Sequence, residues 1–486
     1  MDKNAYLKTI DEVIAKGPYS ADWSSLTNME IPSWFPKAKF GIFIHWGLYS
    51  VPAFGNEWYS KNMYIKDSWE YNHHIETFGP HKDFGYKDFI PMFTADKFNA
   101  AEWADLFKEA GATYILPVAE HHDGFQMYKS ELSHFNAAEM GPKRDVLGEL
   151  KVEFEKRDMV FATSSHRAEH LWFMGHGKDF DSDIKEPLQV GDFYWPSLQE
   201  QPEDNLDVFA KPYPTEEYLT DWLLRCCELV DNYRPRVLYF DWWIQHEGFK
   251  ETLKKFTAYY YNRGVEWGTP VAICYKYDAM AFGSAIVDVE RGKFADTQPY
   301  YWQTDTAIGK CSWGYRKDNE YKSTRQVVCD LVDIVSKNGN LLINIGPKAD
   351  GTITDEETEV LLGMGKWLET NGEGIYGTTF WKQFGEGKVN NEEGFFKDGD
   401  EKKFTNKDFR FTYKKGYLYA FPMRPSNTVK IKTLRKHNPH DYLIESIELL
   451  GSDEKIDYTR TEKALEIKVK GEIKSDLPLC FKIAIG

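Results

Sequence analysis

Asp241 is the only acid in the apolar run "RVLYFDWW", and it stands near the end of that run between Phe240 and Trp242. An ionised carboxylate among aromatic rings costs free energy unless hydrogen bonds or a reaction use it. The position therefore reads either as a reactive group or as the cap of the next helix. A second acid, Glu290, ends "AIVDVE" and is followed by Arg291. Asp288 competes with it for the same role, and the neighbouring arginine is equally what a structural ion pair needs. Two facing carboxyl groups are the minimum equipment for glycoside hydrolysis. One attacks or activates water and the other protonates the leaving oxygen, with a gap of ~5–5.5 Å implying a covalent intermediate.

Histidines collect in the same way. His45 closes "KFGIFIHWG", His121 and His122 are adjacent in "AEHHDGFQMY", and His166 ends "MVFATSSH". Adjacent side chains on a continuing strand point to opposite faces, so both histidines serve one ligand only where the strand ends and the backbone turns. "SSHRAEHLW" also matches H-x-x-E-H through His166, Glu169 and His170, a zinc peptidase pattern. That chemistry needs both histidines on one helical face plus a separate third ligand. The strand-like run leading into His166 argues against it, and the expectation is no metal and no cofactor.

These residues need elements to bring them together. From about residue 39 to 346, seven β-rich runs alternate with helical patterns: "KFGIFIHWG", "TYILPVAEHH", "MVFATSSH", "RVLYFDWW", "VAICYKYD", "AIVDVE" and "LLINIG". Segments such as "AAEWADLFKEAGA" and "TEEYLTDWLLRCCELVDNY" repeat apolar residues at three and four positions, as helices do. Polar groups at the ends of parallel strands are how a (β/α)8 barrel builds an active site. An open doubly wound sheet is the alternative, but no glycine-rich first turn follows the first run. The eighth strand falls in "YYWQTDTAI" or around "VGDFYW". Short alternating runs such as "FRFTYKKGYLYAFPM" and "CFKIAIG" then read as an antiparallel β-sandwich. The expected fold is thus a (β/α)8-like TIM barrel, residues 1–375, followed by a β-sandwich, residues 376–486.

The net charge of -16, from 60 Lys and Arg against 76 Asp and Glu, disfavours nucleic acid and anionic membranes as partners. Aromatic residues make up 16% of the chain, which suits either stacking on sugar faces or a large core. The six cysteines show no paired spacing and read as reduced, buried thiols. The first residues lack a basic segment followed by an apolar core, which gives a cytoplasmic expectation.

The chain resembles the α-L-fucosidases of glycoside hydrolase family 29. The resemblance runs from about residue 30 to 387 through "WFPKAKFGIFIHWGLYSVPAFGNEWY", "EHHDGFQMYKS", "VLYFDWW", "CSWGY", "SKNGNLLINIGP" and "NGEGIYGT". It implies a barrel followed by a β-sandwich and a retaining exo-acting mechanism on fucosylated oligosaccharides or glycoconjugates. It further implies Asp241 as nucleophile and Glu290 as acid/base. His45, Glu57, Trp58, His121 and His122 match positions that hold the sugar hydroxyls, and Trp313 matches an aromatic near the C5 methyl group. His166 and Tyr239, in adjoining strand ends, complete the candidate substrate-binding set. Two departures stand out. Many members carry an arginine where "ICYKYD" has Lys276, and many have a tyrosine-rich strand end where this chain has "SSHRAEH". A fucose-binding protein on a disabled barrel is the alternative from another class.

Overall fold

Strands of a parallel sheet covered on both faces need apolar residues on both sides, not on alternate positions alone. Phe40–Ile44 (β1) is buried at every residue, and so is Tyr114–Glu120 (β2). The computed structural model describes residues 2–199, 207–389, 393–398, 403–438, 443–471 and 473–486. In it the parallel staves continue as Val160–Phe161 (β3) with Thr163–Ser165 (β4), Val237–Phe240 (β5), Ala272–Lys276 (β6), Ile286–Asp288 (β7), Trp302–Ala307 (β8) and Gly339–Ile345 (β9). β3 and β4 form one stave interrupted at Ala162. β1 pairs in parallel with both β2 and β9, which closes the sheet into an eight-stave barrel. The eighth stave lies in "YYWQTDTAI"; "VGDFYW" forms no strand.

Alternation along each stave sorts its residues. Phe43, Tyr114, Leu116, Val237, Tyr239, Ala272, Cys274, Ile286 and Leu342 pack together inside the barrel. Phe40, Ile42, Ile115, Leu238, Phe240, Ile273, Leu341 and Ile343 face the helices outside. The helices begin and stop where local chemistry dictates. Asn99 caps Ala100–Glu109 by accepting from the N–H groups of Ala101 and Glu102, and Gly111 turns the chain away with a φ of +87°. Thr215 caps Glu216–Tyr233, whose buried face includes Trp222, Leu224 and Leu229.

Beyond the helix Asp355–Asn371 the sheet becomes antiparallel. Strands Thr379–Glu386 (β10), Phe409–Lys414 (β11), Tyr417–Pro422 (β12), Thr428–Ile431 (β13), Ile444–Leu449 (β14), Asp457–Arg460 (β15), Leu465–Lys468 (β16) and Phe481–Ile485 (β17) form two sheets. Their orders are β10-β11-β12-β17-β14 and β13-β16-β15, and Phe411, Leu418, Val429, Leu465 and Ile483 share the core between them. Tyr419, Phe421 and Cys480 join the barrel's own outer core, so the two parts share apolar packing. Among the described residues no helix is long and apolar enough to cross a membrane. Five cysteines are buried as expected, but Cys311 is exposed because it lies in the loop after β8 rather than in an element.

One buried ion cluster ties the two parts together. Asp333, on the barrel helix Thr324–Ser336, accepts from Lys337 Nζ at 2.9 Å and from Arg410 Nε of β11. Burial opposes its charge, yet Lys337, Arg410 and Lys293 hold the carboxyl well below the usual range. Its stabilisation is therefore present above the unfolded carboxylate range and lost as the pH falls through the depressed folded value. Asp333→Ala leaves two buried cations without their counter-charge, and a loss of about 3–5 kcal/mol in unfolding free energy is expected by denaturant titration at pH 7. The deficit narrows below about pH 4, where the unaltered Asp333 also starts to lose its advantage.

Candidate active site

The inward phase of each stave runs on into the residues of the barrel mouth. His45 follows Gly41 and Phe43, Asp241 follows Val237 and Tyr239, Lys276 follows Ala272 and Cys274, Glu290 follows Ile286 and Asp288, and Asn344 follows Leu342. Ala162, Ser164 and His166 keep the same phase. β2 changes phase. Its pairing with β4 shifts between Val118 and Glu120, and this bulge turns Glu120 outward to Arg167 Nη1 at 3.1 Å and Arg225 Nη1 at 3.2 Å. His121 then takes the inward position, its ring 4.9 Å from that of His166 and 5.6 Å from that of His45.

Asp241 is held on both carboxylate oxygens. Oδ1 accepts from Lys276 Nζ at 2.8 Å and from the Trp242 N–H at 2.8 Å. Oδ2 faces His166 Nδ1 at 3.1 Å and His122 Nε2 at 3.3 Å. The local contact to Trp242 also makes Asp241 the cap of a short helical turn, Trp242–Gln245, so the two readings of this residue coexist. Burial disfavours the charge, but Lys276 and the two histidines outweigh it and keep Asp241 ionised well below the usual carboxylate range. His166 is kept neutral chiefly by burial, so its Nδ1–H donates to Asp241 while Nε2 accepts from Ser164 Oγ at 3.0 Å.

The same lysine reaches the second acid. Lys276 Nζ lies 2.6 Å from Glu290 Oε2. Asp241 Oδ1 and Glu290 Oε2 are therefore no farther apart than these two contacts laid end to end, 2.8 and 2.6 Å. Burial pushes Glu290 up to about 7; Lys276 pulls against burial, and the charges of Asp305 and Asp241 add to it. Lys276 itself is desolvated yet remains charged, because both carboxylates face it. The competitor, Asp288, lies one layer deeper. It is fully buried, accepts from Gln303 Nε2 at 2.8 Å, and is held protonated by burial and by Asp305.

Around the carboxylates stands a rim of polar and aromatic groups. Asn344 Nδ2 donates to the Trp313 carbonyl at 2.7 Å, which turns its Oδ1 toward His45 Nδ1 at 2.6 Å. His45 thus carries its proton on Nδ1 and presents Nε2 as an acceptor. Glu57 Oε2 accepts from Ser312 Oγ at 3.0 Å and from the Trp313 N–H at 2.9 Å, leaving Oε1 outside these two bonds. Trp313 packs on His45 with ring centroids 5.1 Å apart, and Trp58 packs on His122 at 5.7 Å. His121 Nδ1 is buried with no hydrogen-bond partner among the described residues. Tyr239 does not reach this rim: its hydroxyl donates to Asp305 Oδ2 at 2.8 Å, and it is fully buried as part of the pocket floor.

Comparison with known proteins gives this arrangement its family. The profile of the family described as alpha-L-fucosidase matches residues 7–373. The chain belongs to the alpha-L-fucosidase family of glycoside hydrolases. The plasma alpha-L-fucosidase of Homo sapiens is 34% identical over 380 residues, covering 75% of this chain and 73% of that protein. The tissue alpha-L-fucosidase of Rattus norvegicus is 33% identical over 378 residues, covering 76% and 75%. Among solved structures, Thermotoga maritima alpha-fucosidase in complex with fucose matches with a TM-score of 0.74 and 32% identity over 96% of this chain and 100% of that one. The same enzyme with a mechanism-based inhibitor gives 0.75 at 31% identity, again over 96% and 100%.

As a fucosidase-family site it contains groups that the sequence patterns did not assign to it, Asn344 and, outside the zinc-peptidase pattern, Glu169. Asn344 was hidden inside the apolar run "LLINIG", where its only signal is a polar residue in the inward phase. Glu169 is fully buried behind His122, with Oε2 3.4 Å from His122 Nδ1, and burial raises its carboxyl well above the ordinary range. The H-x-x-E-H pattern does not assemble a metal site: His166 turns to Asp241, whereas His170 Nδ1 donates to the His122 carbonyl at 2.8 Å. Two other trios, His45 with His121 and His166, and His122 with His166 and Asp241, do bring ligand atoms within 4.8 Å of one another. In the second trio the Lys276 ammonium already lies against the Asp241 carboxylate.

Proposed function

We propose that the protein is a retaining exo-α-L-fucosidase that removes terminal α-L-fucose through a covalent fucosyl-enzyme. The observation that carries this reading is the single buried ammonium of Lys276 bridging two carboxyl groups whose surroundings push them in opposite directions. Asp241 stays ionised, as a nucleophile must. Glu290 keeps its proton up to about 7, as an acid must. Their closest oxygens fall short of the ~6.5–9.5 Å opening that an inverting pair needs to admit water.

In the first step an Asp241 oxygen attacks the anomeric carbon as its bond to the leaving oxygen breaks, and that oxygen takes the proton of Glu290. Lys276 occupies Glu290 Oε2, so the proton is carried on Oε1, the oxygen left to face the glycosidic bond. In the second step Glu290, now ionised, takes a proton from water. The hydroxide attacks the anomeric carbon, the ester to Asp241 breaks, and L-fucose leaves with its original configuration. Two inversions restore that configuration. The acceptor Nε2 of His45, His121 Nδ1 and Glu57 Oε1 supply partners for three sugar hydroxyls, and the Trp313 face supplies an apolar wall for the C5 methyl. Phe43 and Tyr239 fill the barrel beneath, so a sugar enters from one end only, which favours terminal residues.

The test uses an alkyl α-L-fucoside, whose alkoxide cannot leave without a proton. Early NMR spectra are expected to show the α-anomer of L-fucose first, and β-anomer first would overturn retention. kcat/KM is expected to fall about tenfold per pH unit above about 7, where Glu290 loses its proton. Glu290→Gln is expected to be slow throughout and to lack this limb; an unchanged limb in that variant would assign the acid elsewhere.

A further inference from the structure

The part of the chain that follows the barrel returns to the acid/base side of its mouth. Residues 393–398 lie along the strand-end segment 290–293. The Phe396 N–H donates to the Glu290 carbonyl at 3.0 Å, the Lys397 and Asp398 N–H groups donate to the Arg291 carbonyl at 2.7 and 3.0 Å, and the Gly394 N–H donates to the Lys293 carbonyl at 3.3 Å. The approach is close enough that a Cβ at Gly292 would stand 1.9 Å from the Gly394 carbonyl oxygen, so only glycine fits there. Asp398 pins the far end, with Oδ2 accepting from Lys322 Nζ at 2.7 Å and Thr306 Oγ1 at 2.7 Å.

This anchored segment presents aromatic side chains. Phe395 stacks on Tyr277, ring centroids 4.2 Å apart and planes 17° from parallel. Tyr277 directly follows the bridging Lys276, and after burial the largest influence on its phenol is the charge of Glu290. Tyr277 and Phe396 both adopt left-handed backbone, with φ of +53° and +56°. That conformation is strained for bulky residues and persists only where surrounding contacts impose it. Phe396 is 57% exposed, a large apolar side chain held in solvent next to a catalytic strand end.

We propose that Tyr277, Phe395 and Phe396 form the platform for the leaving group, and that the platform takes a pyranose ring by stacking against its apolar face. The inference rests on the reading of Glu290 as the acid. A residue that protonates the glycosidic oxygen must face the bond to the leaving group, so whatever that bond carries lies on the Glu290 side of the mouth. The exposed ring of Phe396 and the partly exposed rings of Tyr277 and Phe395 suit the C–H face of a sugar, whereas the hydroxyl-binding groups His45, His121 and Glu57 belong to the fucose position.

The experiment compares α-L-fucosyl fluoride, whose leaving group is one atom and cannot reach the platform, with an α-L-fucosylated galactoside. For Phe396→Ala and separately Phe395→Leu, kcat/KM on the disaccharide is expected to fall about five- to tenfold, with the fluoride unchanged within about twofold. Equal losses on both substrates would mean the segment only braces Glu290 and would overturn the platform. No loss on the disaccharide in either variant would also overturn it. If the unaltered protein releases fucose from neither substrate, the parent reading fails and the platform fails with it.

Discussion

Asp241→Gly is expected to lower kcat for 4-nitrophenyl α-L-fucoside by at least about 10⁴-fold while leaving the barrel folded. The side chain removed is a carboxylate kept ionised against burial by Lys276, His166 and His122 together. In the proposed double displacement, losing it removes the group that would form the covalent fucosyl-enzyme and leaves Glu290 without a partner on the opposite side of the anomeric carbon. Glycine also leaves a space the size of a small anion beside Lys276. Added azide is therefore expected to restore turnover and to yield the β-L-fucosyl azide, since one displacement replaces two. Turnover near the original rate in the variant would move the nucleophile to another residue. EDTA is expected to leave the unaltered enzyme's rate unchanged; loss of activity on chelation, with recovery on adding zinc, would instead point to a metal held by one of the histidine trios.

Lys276→Met is expected to lower kcat/KM by about 10²–10³-fold, the scale of removing one preorganised electrostatic partner from a desolvated site. The charge bookkeeping explains why. With Lys276 gone, two buried carboxyl groups remain within a few ångströms of each other, and like charges at that separation cannot both ionise easily. The pair then shares a proton, and the acid limb of the pH profile, set by Asp241 well below the ordinary carboxylate range, moves upward toward neutrality. Lys276→Arg keeps the charge and is expected to return the acid limb to its original place, with some loss in rate from the bulk of the guanidinium fork. A variant in which the rate drops with no displacement of either limb would show that Lys276 serves only to pack the site. The lysine contacts both acids through one compact ammonium.

Much of this site was legible locally. Apolar runs that end in His45, Asp241 or Glu290 announce buried strands that close on a polar residue in the inward phase, because period-two alternation and the change from apolar to polar are both properties of a few consecutive residues. The same locality explains the readable helices, whose caps Asn99 and Thr215 are adjacent to the turns they close. The eighth stave was ambiguous for a physical reason. β8 has Gln303 and Asp305 facing a polar layer of Asp288 and Tyr239 inside the barrel, so it lacks the apolar signature of its neighbours.

Other features depended on distance along the chain. Asp288 and Glu290 share one phase of one strand, and only the closed barrel decides that the first lies a layer below the mouth and the second at it. The bulge that turns His121 inward and Glu120 outward exists only as a mismatch between β2 and β4, which no single strand encodes. Lys276 meets Asp241 and Glu290 across separations of 35 and 14 residues, and Asn344 reaches His45 across 299. The return of residues 393–398 to Glu290 is equally non-local. The sequence by itself determined the class of fold, the strand-end groups and the family resemblance, because patterning and motif are read from neighbours. Tertiary structure alone decided which acid stands at the barrel mouth, which cation joins the pair and which histidines come together there, because barrel closure and the energy of desolvated charge depend on residues brought together from every part of the chain.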